Sequence, residues 1–280
     1  MEIQARAKIN WTLNVTGRRA DGYHLLDMLM QPLALHDTLY AEPAPSLTLT
    51  LENGGGLSAG EDNLVLRCAK ALQKAAGTEK GAALRLVKRI PMGAGLGGGS
   101  ADGAAALKLL NGLWGLGLSL QELCAIGETL GADIPFCLHD APRRARGIGE
   151  ILSPIPSGVF PLVLIQPCAA LSTKEVFTAY HQRPDIAPAD TENAMSALAT
   201  GNLKALRQFA GNVLESASIP LRPEIAMVKE ALYQAGADFA QMTGSGSVVF
   251  GAFLEENAAQ SAYEALKNRY PVCIQTQTAL

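Results

Sequence analysis

The chain has 280 residues, enough for one large or two ordinary domains, and its 48% hydrophobic and 18% charged content excludes a disordered polymer. A net charge of −3 with no basic block argues against a nucleic-acid partner. The apolar runs are too short to span a bilayer and residues 1–8 lack a signal-peptide core, so a cytoplasmic protein with no membrane partner is expected.

Residues 5–15 read as a strand, with Lys8 and Asn10 on one face by period two. Lys8 is either buried there for a purpose or a snorkelling surface lysine. Residues 16–22 form a turn, followed by Tyr23-His24, where the histidine is either functional or a satisfied turn residue. Residues 25–35 are an apolar strand with His36-Asp37 as its exit. Residues 47–51 alternate cleanly as a strand, and 53–60 form a glycine-rich loop. Glu61-Asp62-Asn63 caps a helix over 64–76, which Gly77 ends.

Residues 83–90 alternate like a half-buried strand, and 101–110 are Ala/Leu-rich and helical. Between them runs Pro91-Met92-Gly93-Ala94-Gly95-Leu96-Gly97-Gly98-Gly99-Ser100, with five glycines in seven positions. Strand, glycine loop and helix in that order make an anion site. Backbone N–H groups turn inward and the helix N-terminus adds unpaired donors. The bland alternative, a turn that binds nothing, leaves so dense a run without a reason. No lysine follows Gly98 or Gly99 before Ser100, so this is not a Walker A loop. Gly93-x-Gly95-x-x-Gly98 matches the dinucleotide fingerprint by letter, but no second parallel strand closes a βαβ unit, which rules out hydride transfer.

Ser119 and Glu122 form a capping box for the next helix. Asp133 then stands among Ala132, Ile134, Pro135 and Phe136. A carboxylate in apolar company is either functional or the cap of a short helix. Residues 140–149, with Arg143, Arg144 and Arg146, read as an irregular solvated loop. The proline-rich stretch 153–158 is the best boundary and gives domains over 1–155 and 156–280. In the second half, 162–165 is a strand, 173–180 a helix and 183–188 a proline-bearing loop. Helices follow over 193–199, 203–209 and 223–234. Strands 239–242 and 248–253 flank a second glycine turn at 243–247. A helix over 256–268 and a strand over 272–276 close the chain. Interleaved strands and helices predict an α+β fold with a mainly antiparallel sheet in each half. The five cysteines show no C-x-x-C spacing and the four histidines no paired spacing. Buried thiols in a reducing compartment and no structural metal are therefore expected.

Four separated stretches resemble the GHMP kinases: Lys8-Ile9-Asn10, the 91–100 loop, Gly131-Ala132-Asp133-Ile134-Pro135 and Thr243-Gly244-Ser245-Gly246. The resemblance covers nearly the whole chain. It implies a two-domain α+β kinase with its active site in the cleft between the domains. The Gly17 to His24 segment is similar to the branch of that superfamily that phosphorylates a cytidine diphosphate-linked polyol on the route to isoprenoids. Carried over by position, Lys8 and Asp133 fall on the family's catalytic pair. Pro91, Met92, Gly93, Ala94, Gly95, Leu96, Gly97, Gly98, Gly99, Ser100 and Ala101 fall on its ATP loop, with Asn63, Leu64 and Lys88 near the adenine. Asn10, Tyr23, His24, Thr173 and Phe177 fall on the substrate site, with Tyr23 and Phe177 as the sandwich for cytosine. Where the family often has Ser-Ser-Asn, this chain has Ser100-Ala101-Asp102, so no hydroxyl at 101 can bond phosphate.

The resemblance implies ATP as co-substrate with Mg²⁺, for which Ser100 is the candidate ligand. It implies only small-molecule partners and a monomer or weak homodimer. Phosphoryl transfer rests on positioning and charge stabilisation. Lys8 would stabilise the transferring group, and Asp133 would orient the acceptor hydroxyl and accept its proton late. The rivals are a kinase for mevalonate or homoserine, an ATP-using decarboxylase, and a nucleotide-binding module without chemistry. The first lacks a use for Tyr23, His24 and Phe177, since those acceptors carry no base. The last has no use for Lys8 and Asp133.

Overall fold

The first two strands, β1 (Glu2–Arg18) and β2 (His24–Ala44), are each buried on both faces through the middle, β2 by a largely apolar stretch from Met28 to Leu33 and β1 by apolar residues alternating with buried Lys8, Asn10, Thr12 and Asn14. The structure, a computed structural model, describes residues 1–182 and 186–280. After β3 (Leu47–Glu52) come α1 (Leu64–Ala76), β4 (Gly81–Val87), α2 (Gly98–Trp114), α3 (Leu120–Glu128) and α4 (Ile134–His139). Strands β5 (Arg143–Gly147), β6 (Ile151–Pro154) and β7 (Pro161–Gln166) follow. Next are α5 (Thr173–Tyr180), α6 (Thr191–Ala199), α7 (Leu203–Phe209), α8 (Glu215–Leu221) and α9 (Glu224–Gln234). The chain closes with β8 (Phe239–Met242), β9 (Val249–Ala252), α10 (Glu256–Leu266) and β10 (Val272–Gln277). No helix among the described residues is long and apolar enough to cross a membrane.

One compact unit comprises Met1–Ala7, Leu35–Ile90 and Gly97–Asp140. In it β4 lies between β3, a parallel neighbour, and the later part of β2, an antiparallel one. The parallel pair departs from the wholly antiparallel pattern of a simple sandwich. Leu72 of α1 and Leu107 and Leu110 of α2 pack with Leu84 and Leu86 of β4 in a sealed core. Gly103 lets the two helices approach closely, since a Cβ there would stand 2.9 Å from the Cys68 sulfur. Asn63 caps α1 through Val65 N–H, and Gly77 ends it in the left-handed conformation. Ser119 and Glu122 make the reciprocal capping box of α3.

The other unit comprises Lys8–Ala34, Pro91–Leu96 and Ala141–Leu280. Its four-stranded sheet runs β10-β7-β9-β8, antiparallel throughout. Trp11 fills its core, with Phe160 and Phe250 edge-on at 5.6 and 5.4 Å, and donates its indole N–H to Gln31.

Three expectations change, and one helix is new. The strand β2 does not exit at His36-Asp37 but runs on to Ala44. Residues 143–147 are a strand, β5, paired with β2 from Leu26 to Met30. There Arg144 makes a bidentate pair with Asp27 and a further bond to Glu192, so the charge is spent inside the unit. Helix α8, with Pro220 inside it, forms over residues for which the sequence predicts no element. Of the five cysteines only Cys68 is fully buried, its thiol pushed up to about 12 by burial. The proline-bearing loop expected over 183–188 lies, at 183–185, outside the described residues.

Candidate active site

Lys8 is buried, at 4% exposure, which removes the snorkelling alternative. Its ammonium donates to Asn10 Oδ1 and to the carbonyl of Gly95, both at 2.9 Å, and its backbone N–H to Leu96 O. Asn10 Oδ1 also accepts from Gly244 N–H, and Asn10 N–H donates to Thr243 Oγ1. So β1, the first half of the glycine loop and the turn at 243–247 form one hydrogen-bonded knot. Gly95 is required for that knot. It has φ +76°, and a Cβ there would lie 2.3 Å from Thr243 O. The Asn212 amide donates to Met242 O and Gly244 O and fixes the turn from its other side.

In the other unit, α2 begins inside the glycine run rather than after it. Gly97, at φ +70°, is its N-cap, and no side chain caps it. Gly98, Gly99 and Ser100 therefore present first-turn N–H groups at the positive end of the helix. Gly99 is open, with nothing within 4 Å of a Cβ built on it. Ala101 is buried. Asn63 and Leu64 sit at the start of α1, where Asn63 also donates to Ser58 O. Lys88 is buried, and its ammonium bridges Asp37 and Asp102. Asp133 holds the N-cap position of α4 but makes no side-chain cap bond, so capping does not account for it.

Of the residues expected at the acceptor, Thr173 and Phe177 lie on α5 and His24 packs against it, all in one unit. Thr173 Oγ1 bonds Ser245 Oγ at 3.1 Å and ties the helix to the 243–247 turn. Phe177 is half-buried, and the residue that α5 sends into the core is Val176. Phe177 stacks on His24, not on Tyr23, which is 61% exposed on the turn before β2. His181 stacks on the same histidine at 4.6 Å, with the two Nε2 atoms in hydrogen-bond range. Burial, then His181 and Arg18, push the His24 pKa below its usual value, which suits a neutral ring that can both donate and accept. His181 is not found by sequence reasoning, nor is the pairing of Lys88 with Asp37 and Asp102. Each is brought in by a distant element and carries no local motif.

The GHMP kinases N terminal domain matches residues 63–141, and the GHMP kinases C terminal domain matches residues 194–272. The chain is 40% identical to a 4-diphosphocytidyl-2-C-methyl-D-erythritol kinase of Symbiobacterium thermophilum, covering 95% of each chain. It is 44% identical to the enzyme of that name from Pelotomaculum thermopropionicum, over 92% of this chain and 91% of the relative. A crystal structure of a 4-(cytidine 5'-diphospho)-2C-methyl-D-erythritol kinase superposes with a TM-score of 0.86 at 35% identity, covering both chains completely.

Proposed function

The chain belongs to the GHMP kinases, among the 4-diphosphocytidyl-2-C-methyl-D-erythritol kinases, and from that membership we propose how its residues divide the reaction. It phosphorylates 4-diphosphocytidyl-2-C-methyl-D-erythritol, at the 2-hydroxyl, with ATP as co-substrate, on the methylerythritol phosphate route to isoprenoid precursors. The observation that carries this reading is a likeness that runs the full length of both chains in a solved enzyme of that activity.

The first-turn N–H groups of Gly98, Gly99 and Ser100 receive the phosphates of ATP, where the helix end favours negative charge. Residues 91–97 shape the approach, and Asn63 and Leu64 border the adenine. Lys8, held by Asn10 and Gly95, stabilises charge on the phosphoryl group in flight. Asp133 orients the acceptor hydroxyl and takes its proton late. Ser100 is a hard oxygen donor on the first turn of α2, and its hydroxyl faces Gly131, where a Cβ would stand 3.9 Å away in ordinary contact. Ser100 would be the protein ligand of a Mg²⁺ ion accompanying ATP, which would supply charge neutralisation for the phosphates.

On the acceptor side the cytosine ring takes the place of His24 against Phe177, and His24, Tyr23 and Asn10 close around the substrate. Thr173 anchors α5 for that contact. The five cysteines stand as free thiols, the usual state in a reducing cytoplasm, which supports the enzyme working there. ATP consumption across a panel of alcohol acceptors tests the whole reading.

A further inference from the structure

A second histidine stands at the acceptor residues, and the reaction as described gives it no part. His181 is the C-cap of α5, and its backbone N–H donates to Phe177 O at 3.3 Å. One helical turn apart, Phe177 and His181 turn their side chains to the same side. His24, the first residue of β2, lies against both rings. Its centroid is 4.2 Å from that of Phe177, at 18° between planes, and 4.6 Å from that of His181, at 30°. All three residues belong to one unit.

The two Nε2 atoms stand 2.5 Å apart, so a proton must lie between them, with one nitrogen donating and the other accepting. The contact holds between two neutral rings of complementary tautomer, or between an imidazole and an imidazolium. It cannot hold with both rings charged. His181 is exposed, and α5 enters the core through Val176. One exposed hydrogen bond adds little to the fold, so stability is a poor reason for this contact. Its place offers a better one, because the ring it holds covers the face of Phe177 that the proposed function gives to the base.

We propose that His181 is a positioning residue for the cytidyl half of the acceptor: its bond to His24 latches that ring onto Phe177, in the place the base takes, so that the base binds by exchange against a ring already there. The inference rests on Phe177 being the stacking partner of the base. Only molecules in which His24 has left Phe177 are competent to bind, and the apparent affinity is lowered by that fraction. Removing the bond raises the fraction and tightens binding.

The latch is sensitive to pH, with a fixed sign. The proton that breaks it is the second one the pair takes up. Burial, then His181 and Arg18, hold the His24 pKa below its usual value. Above that lowered pKa the bond is present. As pH falls through it both rings are charged, they repel, and the latch opens. His181 from α5 and Arg18 from β1 are the charged groups acting on His24. Asp21, in the turn between β1 and β2, is paired with Arg19. Tyr180, whose ring lies 6.3 Å from that of His181, is kept neutral by burial.

The test is the affinity for cytidine 5'-diphosphate, measured by calorimetry from pH 5 to 8 without ATP. It compares the unaltered protein with His181→Ala and His181→Gln. Glutamine places an amide where Nε2 stood and can bond His24 in either charge state. At pH 8 His181→Ala should bind about three- to tenfold more tightly than the unaltered protein, the worth of one exposed hydrogen bond. His181→Gln should bind as the unaltered protein does. Towards pH 5 the unaltered protein should converge on His181→Ala, while His181→Gln keeps its distance from it. The nucleotide's own titration cancels in these ratios. A His181 that serves only the fold would shift Tm and leave the three affinities alike. Equal or weaker binding by His181→Ala, a gain that His181→Gln does not reverse, or a ratio of unaltered protein to His181→Ala that is flat with pH overturns the proposal and leaves the cytidyl site standing. Absence of cytidine 5'-diphosphate binding by all three proteins at every pH would count against the cytidyl site itself, and the latch would fall with it.

Discussion

Phe177 and His24 lie face to face, their ring centroids 4.2 Å apart and their planes inclined by 18°. That spacing is a direct stack, with no room for a third ring between them. A base that stacks on this face of Phe177 must displace His24. Aromatic–base stacking contributes about 1–3 kcal/mol, so Phe177→Ala should raise KM for the cytidyl substrate by roughly ten- to a hundredfold. KM for ATP should stay put. Because Val176 and not Phe177 enters the core, Tm of the unliganded variant should barely move, while its rise on adding a cytidine nucleotide disappears. A core-like loss of about 3–5 kcal/mol with the cytidine-induced rise intact would sink the stacking role.

Asp133 occupies the N-cap position of α4 without capping it. Asp133→Asn should leave folding and ATP affinity nearly intact and lower kcat by roughly 10²–10⁴, the range for a positioned acid–base group. Single-turnover kinetics with both substrates saturating isolates the chemical step. Turnover within about threefold of the parent would remove the residue from the mechanism.

Two glycines of the loop serve different ends, and substitution separates them. At Gly95 any side chain collides with Thr243 O, so Gly95→Ala should lower Tm and loosen the knot that holds Lys8. At Gly99 a side chain meets no protein atom. Gly99→Val should therefore keep Tm and weaken ATP binding by about tenfold or more, because the Cβ occupies space the phosphates approach. Calorimetric titration with a non-hydrolysable analogue reads the difference. Unchanged affinity in Gly99→Val would mean that phosphate contacts lie elsewhere on the loop.

The local capping signals of the sequence carry over to the structure, and only the start of α2 moves, to Gly98 inside the glycine run. Asn63 and Gly77 bound α1, Ser119 with Glu122 opens α3, and the glycine run turns into α2. Each depends on neighbours within a few positions. What misleads is polarity whose partner is remote. His36-Asp37 reads as a strand exit because a buried aspartate makes no sense until Lys88 and the N–H groups of Arg89 and Ile90 are beside it. Arg143 to Arg146 read as a solvated loop because Asp27 and Glu192, which take up Arg144, are far along the chain. Tyr23 and Phe177 are paired by analogy alone, whereas in the structure His24 holds the contact. His181 follows α5 with no motif to mark it.

The most direct measurement is ATP consumption by the purified protein against 4-diphosphocytidyl-2-C-methyl-D-erythritol, mevalonate and homoserine, with the products identified by mass and phosphorus NMR. The expected result is ADP formed one-for-one with a phosphomonoester on the 2-hydroxyl of the cytidyl substrate, with kcat/KM for the other two alcohols at least about a hundredfold lower, since neither offers a base to Phe177. Equal or faster phosphorylation of mevalonate or homoserine, or release of CO₂ in place of a phosphomonoester, would contradict the proposed function.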